Sequence, residues 1–157
     1  MISKIKVIIS EIDGIITDGT IPIDELGYTP FKNYCLKDFE AINKIKTMFK
    51  FVFMSNNSSV NYNLCRKKNI PFFHATNKKQ TIIKIVQKYN FTFDNVIYIG
   101  HTFSDIDCIN LSSISLCPLN SVDEIKDRVD TILPVRSGDG VLCELYSFLF
   151  KKWKNII

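Results

Sequence analysis

The sequence predicts a three-layer α/β fold, a parallel β-sheet covered by helices on both faces. Two observations carry this prediction. Short runs rich in β-branched and aromatic residues alternate with amphipathic windows of roughly 8–15 residues, the pattern of βαβ units. No repeat, low-complexity tract or linker interrupts the 157 residues, a length suited to one domain over residues 1–157.

The elements follow in order. Lys6–Ser10 (KVIIS) reads as a buried strand, because a short apolar run without alternation suits a strand covered on both faces. Thr20–Tyr34 (TIPIDELGYTPFKNY) breaks the rhythm: two short extended pieces flank Asp24-Glu25-Leu26-Gly27, a hairpin signal with Gly at the turn. Placed between the first strand and the first helix, that hairpin is a flap over a pocket or an assembly surface. Phe39–Phe49 reads as a helix, Lys50–Ser55 (KFVFMS) as a strand, and Val60–Lys68 as a helix. Ile70–His74 is a strand, followed by a helix over Lys79–Tyr89, where Ile82, Ile83, Ile85, Val86 and Tyr89 recur near the 3.6 period. Asn95–Gly100 (NVIYIG) is the next strand and Phe103–Leu111 the next helix. Ser113–Cys117 and Thr131–Leu133 are shorter strands, with Val122–Arg128 and Gly140–Trp153 as helices.

Composition excludes several classes. The 46% hydrophobic and 23% charged fractions rule out a disordered, collagenous or coiled-coil chain. No apolar run approaches the roughly 18 residues of a membrane span. The apolar start ends at Glu11 and Asp13 without a signal-peptide pattern, so a cytoplasmic location is expected, with no membrane partner. Twenty basic against sixteen acidic residues give +4, and only Lys67–Lys68, Lys78–Lys79 and Lys151-Lys152-Trp153-Lys154 cluster, which argues against a nucleic-acid face. The five cysteines form no C-x-x-C pair, and with only His74 and His101 there is no zinc-finger spacing; reduced thiols are expected.

In an open parallel sheet, ligands bind beyond the carboxyl ends of the strands. The first strand is followed there by Glu11, Asp13, Gly14, Thr17, Asp18 and Gly19, and the second by Ser55, Asn56, Asn57 and Ser58. The third helix opens with Lys78 and Lys79, and the loop after NVIYIG carries His101, Thr102, Ser104 and Asp105. Carboxylates that hold a hard cation, with Lys and hydroxyl donors for phosphate oxygens, are the parts of a metal-assisted phosphoryl site.

Ile8-Ile9-Ser10-Glu11-Ile12-Asp13-Gly14-Ile15-Ile16-Thr17-Asp18-Gly19 resembles motif I of the haloacid dehalogenase superfamily, and more narrowly the D-x-D-G-x-x-T-D-G of 3-deoxy-D-manno-octulosonate 8-phosphate phosphatases. The resemblance covers nearly the whole chain. Leu36-Lys37-Asp38 matches the start of the helix after the flap, Ser55 stands at motif II, Lys79 at motif III, and Gly100-His101-Thr102-Phe103-Ser104-Asp105 at motif IV (G-D-x-x-x-D). Ser137-Gly138-Asp139-Gly140-Val141 matches the family's G-G-x-G-A/V tail. The resemblance implies a Rossmann-like sheet, a minimal cap and a homotetramer in which one subunit's hairpin closes a neighbour's site. It is also similar to the C-terminal phosphatase-like domain of acylneuraminate cytidylyltransferases, where such a domain with a substituted nucleophile looks like an oligomerisation module. By this resemblance Glu11, Asp13 and Asp105 would hold Mg2+, with Asp13 as general acid/base, while Ser55, Asn56 and Lys79 would hold the phosphoryl oxygens of a sugar-acid phosphate.

The departures from that pattern change the expectation. Glu11 stands where the family has its Asp nucleophile, and its extra methylene moves the attacking oxygen by more than about an ångström, which can cost about a hundredfold. His101 stands at a metal-ligand Asp; imidazole suits Mn2+ or another transition ion better than Mg2+. Asn57 replaces the basic residue after motif II, and Asp139 and Cys143 replace the two tail arginines. The surviving residues also have plain structural readings. Asp13 and Asp18 could cap a turn, Ser55 a helix, Asp105 the helix after it; Lys79 could be a solvated lysine and His101 a satisfied loop histidine. The expectation is a phosphatase-type domain of the KDO or sialic-acid phosphate class with impaired catalysis, serving assembly or regulation. The alternative is an active metal-dependent phosphomonoesterase. A receiver-like module is a poor fit, because the strand ending Phe53-Met54-Ser55 carries no acceptor Asp.

Overall fold

The structure, a computed structural model, describes residues 2–56 and 59–154. Asn57 and Ser58 lie outside the described residues. Six strands form one sheet: β1 (Val7–Ser10), β2 (Lys50–Ser55), β3 (Phe72–His74), β4 (Val96–Ile99), β5 (Ile114–Pro118) and β6 (Thr131–Leu133). The order is β3-β2-β1-β4-β5-β6 and every pairing is parallel, with β1 held between β2 (Ile8 beside Phe51) and β4 (Ile8 beside Ile97). The helices are α1 (Leu36–Ile45), α2 (Ser59–Lys67), α3 (Lys78–Lys88), α4 (Ile106–Leu111), α5 (Asp123–Lys126) and α6 (Val141–Lys154).

Alternate residues of each strand point to opposite faces, and this period of two splits the core into two clusters. Ile8, Phe51, Phe53, Ile97 and Ile99 pack with Ala41, Ile42 and Ile45 of α1, Cys65 of α2 and Leu142, Leu145 and Leu149 of α6. Val7, Ile9, Val52, Met54, Val96 and Tyr98 pack with Ile82, Ile85 and Val86 of α3, Cys108 and Ile109 of α4 and Ile125 of α5. The three layers predicted from the sequence are therefore present. All five cysteines are free thiols, and no described helix is long and apolar enough to cross a membrane.

The expected hairpin is not formed. Among the described residues, 20–34 contains no strand, and its backbone bonds, Asp24 N–H to Tyr28 O (2.9 Å) and Gly27 N–H to Asp24 O (3.0 Å), close a turn and not a ladder. Pro22 and Pro30 cannot donate to a ladder. The Asp24 carboxylate instead takes the amides of Leu26 (2.9 Å) and Tyr28 (2.8 Å), an Asx-type turn that competes with strand pairing.

One carboxylate joins the first helix to the last. Asp38 is fully buried and its Oδ1 accepts from Leu142 N (3.0 Å) and Cys143 N (3.1 Å), which caps α6. Its Oδ2 is buried with no partner. Burial raises the Asp38 pKa above the ordinary carboxylate range, although the two amides oppose the rise. A carboxyl whose folded pKa is raised contributes most when protonated, and that contribution fades as pH climbs through the folded value. Asp38→Ala is therefore expected to cost about 1–2 kcal/mol, and more at pH 5 than at pH 7. Urea unfolding at the two pH values checks this; a larger loss at pH 7 would count against it.

Candidate active site

β1 delivers Glu11 and Asp13 to the carboxyl edge of the sheet, and the chain then turns sharply. Gly14 sits at φ +80°, a conformation open to glycine. Thr17 Oγ1 accepts from Gly14 N (3.0 Å) and Gly19 N (3.2 Å), holding the loop shut. A side chain at Gly14 would fall on the imidazole of His101, so that ring lies directly against the turn.

Two polar groupings fill the edge. In the first, the Lys78 ammonium lies 2.6 Å from both Glu11 Oε2 and Asp105 Oδ1, with all three side chains buried. Glu11 Oε1 accepts from Ile12 N at 2.9 Å. Asp105 Oδ1 also accepts from Tyr98 Oη (2.6 Å), and Oδ2 accepts from His101 N (2.9 Å), Thr102 N (3.0 Å) and Thr102 Oγ1 (3.3 Å). In the second, Asp13 Oδ1 accepts from Lys32 Nζ at 2.6 Å, while Oδ2 accepts from Asn61 Nδ2 (2.9 Å) and Ser55 Oγ (3.4 Å). Asn61 Nδ2 also reaches Ser55 Oγ (3.1 Å), and Asn61 Oδ1 accepts from Tyr34 Oη (3.0 Å).

The charges settle as these contacts dictate. Burial would raise the Asp105 carboxyl, but Lys78 and the hydrogen bonds hold it below the ordinary range. Glu11 is raised, because burial outweighs the pull of Lys78. Burial alone would lower Lys78, yet Asp105 and Glu11 keep it raised and charged. Burial lowers His101, leaving a neutral imidazole at pH 7.

The structure brings Glu11, Asp13, Ser55 and Asp105 together as the sequence predicts, and it corrects the lysine. Lys78, with its side chain 7% exposed, holds the position expected of Lys79, which is 54% exposed and 3.8 Å from Asp107 on the surface. Asn56 is exposed in the bend after β2. Two contributors, Asn61 and Lys32, were missed, and Lys78 was named beside Lys79 but not given the role. Lys78 was signalled by phase, since 78, 81, 82 and 85 form the i, i+3, i+4, i+7 face buried in α3. Asn61 shares the buried face of α2 with Cys65, again at i, i+4. Lys32 sits in an irregular segment and had no periodic signal.

A divalent ion needs several oxygen donors converging on one point. Among the described residues no three His, Cys, Asp or Glu side chains gather in that way. Asp105 has both oxygens committed to donors, Asp13 is taken by Lys32, Asn61 and Ser55, and Glu11 by Ile12 and Lys78. His101 offers nitrogen, and its buried Nδ1 stands 4.0 Å from Asp105 Oδ2. The residues as arranged do not fit Mg2+.

A family model of haloacid dehalogenase-like hydrolases matches residues 21–145. The chain belongs to that family. Solved haloacid dehalogenase-fold structures superpose over nearly its full length. Cobalt-bound deoxy-D-mannose-octulosonate 8-phosphate phosphatase from Haemophilus influenzae gives a TM-score of 0.89 at 21% identity, covering 96% of this chain and 90% of that one. The 3-deoxy-D-manno-octulosonate 8-phosphate phosphatase of Moraxella catarrhalis, solved with magnesium, phosphate and KDO, gives 0.87 at 18% identity, covering 94% and 87%. At those identities the likeness speaks to the fold. A curated relative, the 5-amino-6-(5-phospho-D-ribitylamino)uracil phosphatase YcsE of Bacillus subtilis, is 31% identical over 65 residues, 41% of this chain. The match spans about a quarter of that relative's length (26%).

Proposed function

We propose that this haloacid dehalogenase-like domain is of the sugar-acid phosphate phosphatase type, that its hydrolytic chemistry is impaired, and that it serves assembly or regulation. The observation that carries the reading is Glu11. At the position where the family resemblance requires a free aspartate nucleophile, the longer glutamate is buried and committed on both oxygens, to Ile12 N (2.9 Å) and the Lys78 ammonium (2.6 Å). The added methylene moves the attacking oxygen from where an aspartate would carry it, and small displacements are costly there. Assembly is supported by the segment before α1 and the helix's first residue, where Ile23, Leu26, Tyr28, Phe31 and Leu36 are all exposed. A second copy of the chain is the partner proposed for that surface, as one domain over residues 1–157.

A second reading, an active phosphomonoesterase, draws on Asp13, which Lys32, Asn61 and Ser55 still hold beside Glu11. Under it, Asp13 would give a proton to the leaving alkoxide while Lys78 and Ser55 hold phosphoryl oxygens.

Phosphate release from 3-deoxy-D-manno-octulosonate 8-phosphate and an aryl phosphate, with Mg2+, Mn2+ or Co2+, tests the two. The natural chain is expected to be silent, with Glu11→Asp/His101→Asp as the comparison. Turnover by the natural chain would overturn the impaired reading. Light scattering tests assembly, for which a monomer is the adverse result.

A further inference from the structure

The amino edge of the sheet lies opposite the candidate active site: Lys6 leads into β1, whose far end is about 13 Å away. In a parallel α/β fold each helix returns the chain to that edge, so helix ends and strand starts meet there. Lys6 N donates to Asn95 O (2.9 Å) and Lys6 O accepts from Lys50 N (2.9 Å), which sets the starts of β1 and β2 side by side. Lys4 O accepts from Asn95 Nδ2 (2.8 Å). The Lys50 and Lys88 ammoniums lie 4.5 Å and 5.8 Å from the centre of the same Tyr89 ring. Lys46 Nζ donates to Asn69 O (3.0 Å), next to Lys68, and Lys46 and Lys50 share a cleft of about 190 Å3 with Phe49, Phe51 and Pro71. Arg66 and Lys67 end α2 beside them.

These eight side chains are exposed, and none is in an ion pair among the described residues. They come from four segments, 3–6, 46–50, 66–71 and 88–95, which is why no such cluster shows in the sequence; Asp94 is the one carboxylate of those segments. Lysines at helix ends ordinarily offset the helix dipole, but the three ends here supply only about −0.5 each. An excess of about five positive charges remains on this face, more than the +4 of the entire chain.

We infer that this edge binds the phosphate backbone of nucleic acid without reading sequence. Seven of the eight residues are lysines, hydrated point charges that suit phosphates in any register. Protein interfaces are depleted in lysine at their centres. Stable membrane docking needs apolar insertion beside the charge, and Met48 is the one large apolar side chain exposed in these segments. The Tyr89 ring is already covered by ammoniums and offers bases little to stack on, so the contact is with the backbone. The inference does not depend on what the carboxyl edge does.

The test is fluorescence anisotropy of a labelled oligo(dT) of about 20 nucleotides with the full chain. Binding is expected with a Kd of about 100 µM or tighter at about 50 mM salt, weakening about fiftyfold at about 200 mM if four phosphates are contacted. A Kd above about 1 mM at the lower salt would overturn the inference. Lys6→Glu/Lys50→Glu is expected to weaken binding at least about tenfold and to cut the slope of log affinity against log salt by about 1.4, with the melting temperature showing the fold intact. Should that pair not fold, Lys6→Gln/Lys50→Gln takes its place, with the same expected change in slope. An unchanged slope in the folded variant is adverse. Lys79→Glu/Arg136→Glu makes the same change in net charge away from this edge and is expected to bind as the natural chain does; an equal loss there would assign the binding to net charge and overturn the face. Tighter binding to phosphatidylcholine–phosphatidylserine vesicles than to the oligonucleotide, lost through the same two lysines, would overturn nucleic acid as the partner.

Discussion

Lys78→Met lowers the unfolding free energy by about 3–5 kcal/mol at pH 7, the largest effect expected of any single polar substitution in the domain. Methionine fills much of the same volume, so the loss reports charge and not a cavity. It leaves Glu11 and Asp105, both buried, facing each other without compensation. For a chain of this length the melting temperature falls by roughly 10 °C. The pH dependence distinguishes this from simple misfolding. In the natural protein Asp105 is held below its ordinary range, so its contribution is present above the unfolded value and is lost as pH falls through the folded one. In the variant both carboxyls favour the protonated form when folded, so acid stabilises them. The gap between the two proteins therefore narrows from pH 7 toward pH 4. Urea unfolding across that range measures it, and a constant gap would contradict the ionic account.

Gly14→Ala is expected to cost about 2–4 kcal/mol, through two separable causes. The positive φ of +80° disfavours any L side chain by about 1–2 kcal/mol. The new methyl also falls on the His101 ring, and overpacking of that kind costs about 1–3 kcal/mol. His101→Ala in the same chain relieves the second cause and leaves the first. The double-mutant cycle should thus show a coupling of about 1–2 kcal/mol. A coupling near zero would mean that His101 moves aside at no cost, and the packing of imidazole on the turn would carry no energy.

The strands were readable because burial on both faces leaves β-branched runs with sharp ends, as in KVIIS and NVIYIG, and because the helices between them keep a 3.6 period. The carboxylates were readable because motif order and the strand-end rule place Glu11, Asp13 and Asp105 at one edge. Adjacent lysines were not separable by type alone. Lys78 and Lys79 differ only in helical phase, and the Asn77 cap, whose Oδ1 accepts from Gln80 N, is what sets that phase. Lys32 was invisible because its partner, Asp13, is distant in sequence and its own segment has no period. The hairpin failed for local reasons: two extended pieces around Asp24-Glu25-Leu26-Gly27 suggested it, but two prolines and the Asp24 turn remove the donors a ladder needs.

The placement of β1 at the middle of an all-parallel sheet also governs how the molecule is made. Parallel neighbours cannot be joined by a tight turn, so no strand has a partner close to it in the chain. On the ribosome, Val7–Ser10 emerges first and waits for Lys50–Ser55, then longer for Val96–Ile99, before both its edges are satisfied. Until then an apolar strand with an open edge is available to other chains, and such edges add strands indiscriminately. The exposure to aggregation in this molecule therefore belongs to the half-made chain, before Val96–Ile99 has left the ribosome.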